Sequence, residues 1–100
     1  MQFKRNYRLI DQIEGSTGSI MDNIAKGFER GSRGEFITFL GYSKGSSGEF
    51  RSQLYRANDR AYLTQLEFDE LYKLATHISS CIEKFIQYLQ KTDLKGVRRK

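Results

Sequence analysis

Apolar and small residues recur at spacings of three and four along three stretches of the chain, with polar residues between them. In the first stretch Ile13, Thr17, Ile20, Ile24 and Phe28 step by four, three, four and four. That rhythm lines up one face of an α-helix. Asn6 suits an N-cap, and Gly31 suits the left-handed position that closes a helix, so the pattern predicts a first helix over about residues 7–30.

Ser32-Arg33-Gly34-Glu35 then has the form of a capping box, in which a hydroxyl and a carboxylate satisfy the free amides of a new first turn. The second predicted helix covers 33–62, with a seam of Phe36, Leu40, Ser43, Ser47, Phe50, Leu54, Ala57 and Ala61. Alternating four and three is the rhythm of bundle packing, here with a waist of small residues at Ser43 and Ser47. A second capping box at Thr64 and Glu67, with Asp69 and Glu70 near the positive end of the next helix, predicts a third helix over 66–91. Its seam is Phe68, Leu71, Ala75, Ile78, Ile82, Phe85 and Leu89. Residues 93–100 read as a basic, flexible tail. The expected fold is all-α: a single helical-bundle domain over 1–92, up-and-down and antiparallel.

Composition sharpens this picture. One hundred residues without proline leave room for one small domain and nothing to break long helices. No apolar run approaches the roughly 18 residues of a membrane span, and MQFKRNYR lacks the apolar core of a signal peptide, so a cytoplasmic protein without membrane contact is expected. Cys81 has no second cysteine to pair with, and a single His and Cys do not complete a zinc site. No metal or cofactor is therefore expected. The net charge of +5 suits nucleic acid, an anionic surface or an acidic protein, and it equally suits an ordinary solvated surface.

Glycine inside a helix costs about 1 kcal/mol relative to alanine, so those of the second helix call for a reason. On a helical wheel Gly34, Gly41, Gly45, Gly48 and Ser52 fall within about 60°, opposite the Phe36/Leu54 seam. Such a stripe admits another helix closely, which predicts oligomerisation; the plainer reading is a tolerated glycine-rich surface.

The stretch SIMDNIAKGFERGSRGEFITFLGYSKGSSGEFRSQLYRA, residues 19–57, resembles the 23S ribosomal RNA intervening-sequence proteins, also called four-helix bundle proteins. The matching residues are Ser19, Asn23, Ile24, Ala25, Gly27, Glu35, Phe36, Phe39, Leu40, Gly45, Ser46, Glu49, Gln53 and Leu54. Lys26 stands where the family usually has Glu. The resemblance implies that these three helices are the last three of a four-helix bundle, with the first absent before Met1. It also implies a ring, typically a pentamer, without enzymatic activity. A more distant similarity, to the accessory variability determinant of diversity-generating retroelements, implies RNA or DNA, or a protein partner such as a reverse transcriptase.

Around the second helix Arg33, Lys44 and Arg51 share a sector extended by Tyr55 and Tyr62. Cations neutralise phosphates and tyrosines stack on bases, which makes this line the nucleic-acid candidate; the alternative is a stripe whose cations pair with neighbouring carboxylates. Lys95, Arg98, Arg99 and Lys100 are positioned to embrace a phosphate backbone, or to form a solvated tail. His77 and Cys81 sit one turn apart without a recognisable acid or oxyanion donor, so no catalytic residue is assigned. Ser19 and Asn23, also one turn apart, are expected to bond each other or a nearby carbonyl. The functional expectation is a noncatalytic oligomeric binding module, for nucleic acid or for a protein that handles it. The alternative is a structural scaffold with no nucleic-acid binding.

Overall fold

The computed structural model describes the backbone of residues 7–94 and the side chains of residues 7–91. It contains three helices, α1 (Tyr7–Glu29), α2 (Arg33–Asp59) and α3 (Gln65–Leu94), and no strand among the described residues.

The capping residues set the corners. Gly31 adopts φ 80°, and Ser32 is extended at φ −113° and ψ 147°. The Glu35 amide donates to Ser32 Oγ at 3.2 Å, while the Ser32 hydroxyl lies 3.1 Å from Glu35 Oε1. The second box is fully reciprocal: the Glu67 amide donates to Thr64 Oγ1 at 3.1 Å, and the Thr64 amide donates to Glu67 Oε1 at 2.9 Å. That backbone contact with Thr64 is the leading cause of a Glu67 pKa below the ordinary carboxylate value.

α2 stops at Asp59, three residues short of the predicted end at 62. Ala61 takes a left-handed φ of 58°, and the Tyr62 amide reaches back to the Ala57 carbonyl at 3.0 Å. This is the Schellman arrangement, with alanine where glycine is usual. Ala61, the last residue of the predicted seam, therefore lies exposed in the loop.

α2 packs against α1 on one side and α3 on the other, and α1 and α3 make no backbone approach to each other. The Cα envelope measures 51 × 22 × 13 Å, a curved layer, since one flat layer of helices has a Cα thickness of only about 5 Å. Its core has two parts. Leu9, Phe50, Leu54, Ala57, Leu63, Phe68 and Ala75 fill one end, and Ile20, Phe36, Leu40, Ile82, Ile86 and Leu89 fill the other.

Between these clusters the α1/α2 contact is polar and built from small residues. The Ser16 hydroxyl donates to Gln53 Oε1 at 2.6 Å, Ser43 to the Ile20 carbonyl at 2.8 Å, and Ser46 to Ser19 Oγ at 2.9 Å. Asn23 Nδ2 donates to the Ser19 carbonyl at 2.8 Å and to Ser19 Oγ at 3.0 Å, the mutual bonding expected of that pair. On the other side Ser47 donates to the Ala75 carbonyl at 3.2 Å. No buried side-chain nitrogen or oxygen among the described residues lacks a partner.

Residue by residue, the buried face of α1 is rotated from the predicted one. Leu9, Ser16, Ile20 and Gly27 are buried, whereas Thr17 is half-buried and Phe28 is 58% exposed. The rotation follows from size. A Cβ on Gly27 would lie 2.8 Å from Phe39 Cβ and 2.9 Å from Phe36 Cδ1, so only a glycine there lets α1 sit this close to α2. In α3, Ser79 and Ile86 join the buried line, and Phe85 is 40% exposed.

Candidate functional site

Because α1 and α3 flank α2 without a close backbone approach to each other, an apolar groove runs between them. One depression, of about 250 Å³, is lined by Ile10, Ile13, Glu14, Thr17, Phe50, Leu54 and Leu71. Another, of about 270 Å³, is lined by Ile24, Leu40, His77, Ile78, Cys81, Ile82 and Phe85. Two of the helices supply more apolar surface than α2 covers. The apolar series of α1 continues through half-buried Ile10, Ile13 and Ile24 to exposed Phe28, and that of α3 through Leu71 and Ile78 to exposed Phe85.

The glycine stripe faces away from every other helix. Around Gly34, Gly41 and Gly45 an added Cβ would meet nothing within 4 Å, and at Gly48 it would meet only Arg51 Nη2 at 3.8 Å. Ser52 is exposed. The stripe has no role in holding this chain's own helices together.

The predicted basic and aromatic line is divided by the fold. Arg33 is buried, at 7% exposure. Lys44 is exposed and donates to Glu83 of α3 at 2.7 Å, a bond that holds the Glu83 pKa below its ordinary value with help from Gln87. Arg51 is half-exposed. Tyr55 is 50% exposed, with its ring 5.3 Å from those of Phe68 and Tyr72. A hydrogen bond with Tyr72 raises its pKa, and the charge of Arg51 acts the other way. Tyr62 is partly buried against the Leu9/Phe50 cluster. Thus Arg51 and Tyr55 remain close enough to interact at the surface, Lys44 is exposed but turned to Glu83, and Arg33 and Tyr62 are drawn into the packing. Lys95, Arg98, Arg99 and Lys100 lie outside the described residues.

The residues that carry the family resemblance gather at the α1/α2 corner. Gly27 is the point of closest approach; Asn23 is bonded to Ser19; Ile24 lines the groove. Phe36 packs edge-on to Phe28 at 6.1 Å and to Phe85 at 5.3 Å, and Leu40 is 1% exposed. Phe39 carries the Arg30 guanidinium 5.1 Å over its ring, and Arg30 also lies 3.7 Å from Glu35. Ala25 is exposed. Most of these residues act as joints of the packing.

His77 Nε2 and Cys81 Sγ are 3.6 Å apart and both are exposed. No group of three or more potential metal-ligating side chains occurs among the described residues, and no helix there is long and apolar enough to cross a membrane.

A basic cluster that sequence reasoning missed lies at the end of the layer where α1 begins and α2 ends. Arg8, Leu9, Gln12, Arg56 and Arg60 line a depression of about 170 Å³. Arg56 Nη2 donates to Gln12 Oε1 at 2.9 Å, bridging the two helices. No described carboxylate forms an ion pair with Arg8, Arg56 or Arg60. The sequence offers one partial signal, the spacing of four between Arg56 and Arg60. Arg8 joins them only through the fold, 48 residues away from Arg56 along the chain.

These features define a small all-helical protein in which α1 and α3 both pack on α2, as in a helical bundle. The chain belongs to the 23S rRNA-intervening sequence protein family, whose model matches residues 1–84. No curated protein and no solved structure matches it.

Proposed function

We propose that the protein is a noncatalytic assembly module, a homo-oligomer in which the groove between α1 and α3 is covered by a second copy of the chain. The groove is the observation that carries this reading. Its walls and floor are apolar along both core clusters, and burying such surface contributes about 25 cal/mol per Å².

A second copy is the occupant this reading adopts, because it presents the same uncovered apolar residues of α1 and α3, and the open groove of one chain can cover that of another. The pairings Gly27 with Phe39, Ile20 with Ser43 and Ser16 with Gln53 descend one helix as they ascend the other, which supports an antiparallel up-and-down unit. A helix in the groove gives that unit its fourth member. Five copies is the number the family resemblance implies.

Mass by light scattering tests the assembly. A multiple of the 11.7 kDa chain is expected, reduced by Ile13→Glu or Ile78→Glu. A well-folded monomer at tens of micromolar overturns it, whether the groove is left open or filled by other means.

The module's cargo in this reading is nucleic acid, or a protein that handles it. The net charge of +5, half-exposed Arg51 and exposed Tyr55 support that partner, while the Lys44 charge is taken up by Glu83. Anisotropy at low and moderate salt provides the test. Affinity that falls steeply with salt is expected, and absence of binding at low salt leaves the structural scaffold as the function.

A further inference from the structure

We infer that Arg8, Arg56, Arg60 and Gln12 form a phosphate-binding site for a nucleotide unit of an RNA strand, an inference that rests on the nucleic-acid reading above. Three arginines line one depression of about 170 Å³ without a described carboxylate in ion-pair contact. Like charges gathered in this way repel one another, and an anion placed among them removes the repulsion. Guanidinium groups also match the geometry of phosphate oxygens.

Helix electrostatics accounts for only part of the cluster. Arg56 and Arg60 sit at the C-terminal end of α2, where a cation is stabilised by the helix dipole. Arg8 occupies the first turn of α1, the positive end, and no acidic residue shares that turn. Its position is unfavourable for the isolated helix and favourable once an anion is bound, since both Arg8 and the positive end of the helix then act on the ligand. Gln12 holds the Arg56 guanidinium toward α1 through the 2.9 Å bond, which fixes one of the three donors before any ligand arrives.

The neighbouring surface indicates what the phosphate is attached to. A polar depression of about 420 Å³, lined by Gln12, Gly15, Ser16, Ser19, Glu49, Gln53 and Arg56, continues from the site along the α1/α2 seam. It shares Gln12 and Arg56 with the arginine cluster. Glu49 at its side repels a second phosphate, whereas hydroxyl and amide groups suit the uncharged parts of a nucleotide. The arrangement therefore fits one phosphate at the arginines with its sugar and base lying along the seam. RNA and free mononucleotides share this chemistry; the length of the polar depression continuing along the α1/α2 seam favours a strand that runs on past the phosphate.

The experiment uses a 5′-labelled 12-nucleotide single-stranded RNA in an anisotropy titration over a salt series, with the full chain as wild type, Arg8→Gln, Arg60→Gln and Lys44→Gln. Each variant removes one charge, and circular dichroism establishes that each is folded. Arg8→Gln and Arg60→Gln are expected to weaken binding about tenfold, with a salt slope shallower by about 0.7 for each phosphate that is no longer neutralised. Lys44→Gln, which removes a cation already bonded to Glu83, is expected to change affinity less than about twofold. Equal weakening by all three variants overturns the site and leaves a diffuse nucleic-acid interaction intact. Absence of RNA binding by the wild type overturns the site and removes RNA from the nucleic-acid reading. A parallel amide NMR titration with AMP and with inorganic phosphate separates the sources. Shifts at Arg8, Gln12 and Arg60 that RNA reproduces support the strand, and AMP binding there without RNA binding overturns it.

Discussion

Gly27 gives the most exacting test of how the α1/α2 corner is held. Alanine at this position adds a methyl carbon 2.8 Å from Phe39 Cβ, 2.9 Å from Phe36 Cδ1 and 3.4 Å from Phe36 Cα. Carbon atoms prefer roughly 3.5–4.0 Å, so the first two contacts overlap by more than about half an ångström. The Phe36 ring has some freedom to turn. Phe39 Cβ has none, because it is fixed to the α2 backbone, and relief requires α1 to move outward. Overpacking of this kind costs about 1–3 kcal/mol, against which the better helix propensity of alanine returns up to about 1 kcal/mol. The expected net loss is about 1–2 kcal/mol.

Gly18 in the same helix is the control. Nothing lies within 4 Å of its virtual Cβ, so Gly18→Ala keeps the propensity gain, up to about 1 kcal/mol. Thermal denaturation followed by circular dichroism, at one fixed protein concentration, should move the two variants in opposite directions. About 4–8 °C per kcal/mol applies to a domain of this size, giving a fall of about 4–16 °C for Gly27→Ala and a rise of up to about 8 °C for Gly18→Ala. A rise for both would show that the corner is not tightly packed and would refute the close-approach argument.

Three further outcomes follow from the geometry. Ala61→Gly should stabilise the protein by about 0.5–1 kcal/mol in urea denaturation, since glycine adopts the φ of 58° without the Cβ conflict; unchanged or lower stability would contradict a left-handed Ala61. Ser16→Ala removes the donor facing the buried Gln53 amide oxygen and should cost about 1–3 kcal/mol, with a clearly smaller penalty in a Gln53→Leu background; full additivity would mean the pair is not coupled. The Glu83 pKa is lowered on folding, so its contribution to stability is present above the ordinary carboxylate value and is lost as pH falls through the lowered value. Lys44→Met should raise the Glu83 pKa seen by carboxyl NMR titration, and an unmoved titration would place the bond outside the solution structure.

The sequence alone determined the local architecture, because its signals are local. Ser32 and Thr64 mark helix starts within three residues of their partners Glu35 and Glu67, Gly31 marks a helix end, and the three-and-four spacing needs nothing outside its own helix. The family signature was legible for the same reason. Tertiary structure decided the rest. The shift of the α1 face from Thr17 and Phe28 to Ser16 and Gly27 depended on how closely Phe36 and Phe39 permit the helices to approach. The burial of Arg33 and the pairing of Lys44 with Glu83 depended on which sides of α2 its neighbours occupy. The arginine cluster joins residue 8 to residues 56 and 60, and no periodicity within one helix can foretell a charge supplied by another. Likewise, each helix's apolar stripe is visible in the sequence, but that two of the stripes border an open groove follows only from α1 and α3 lying on either side of α2.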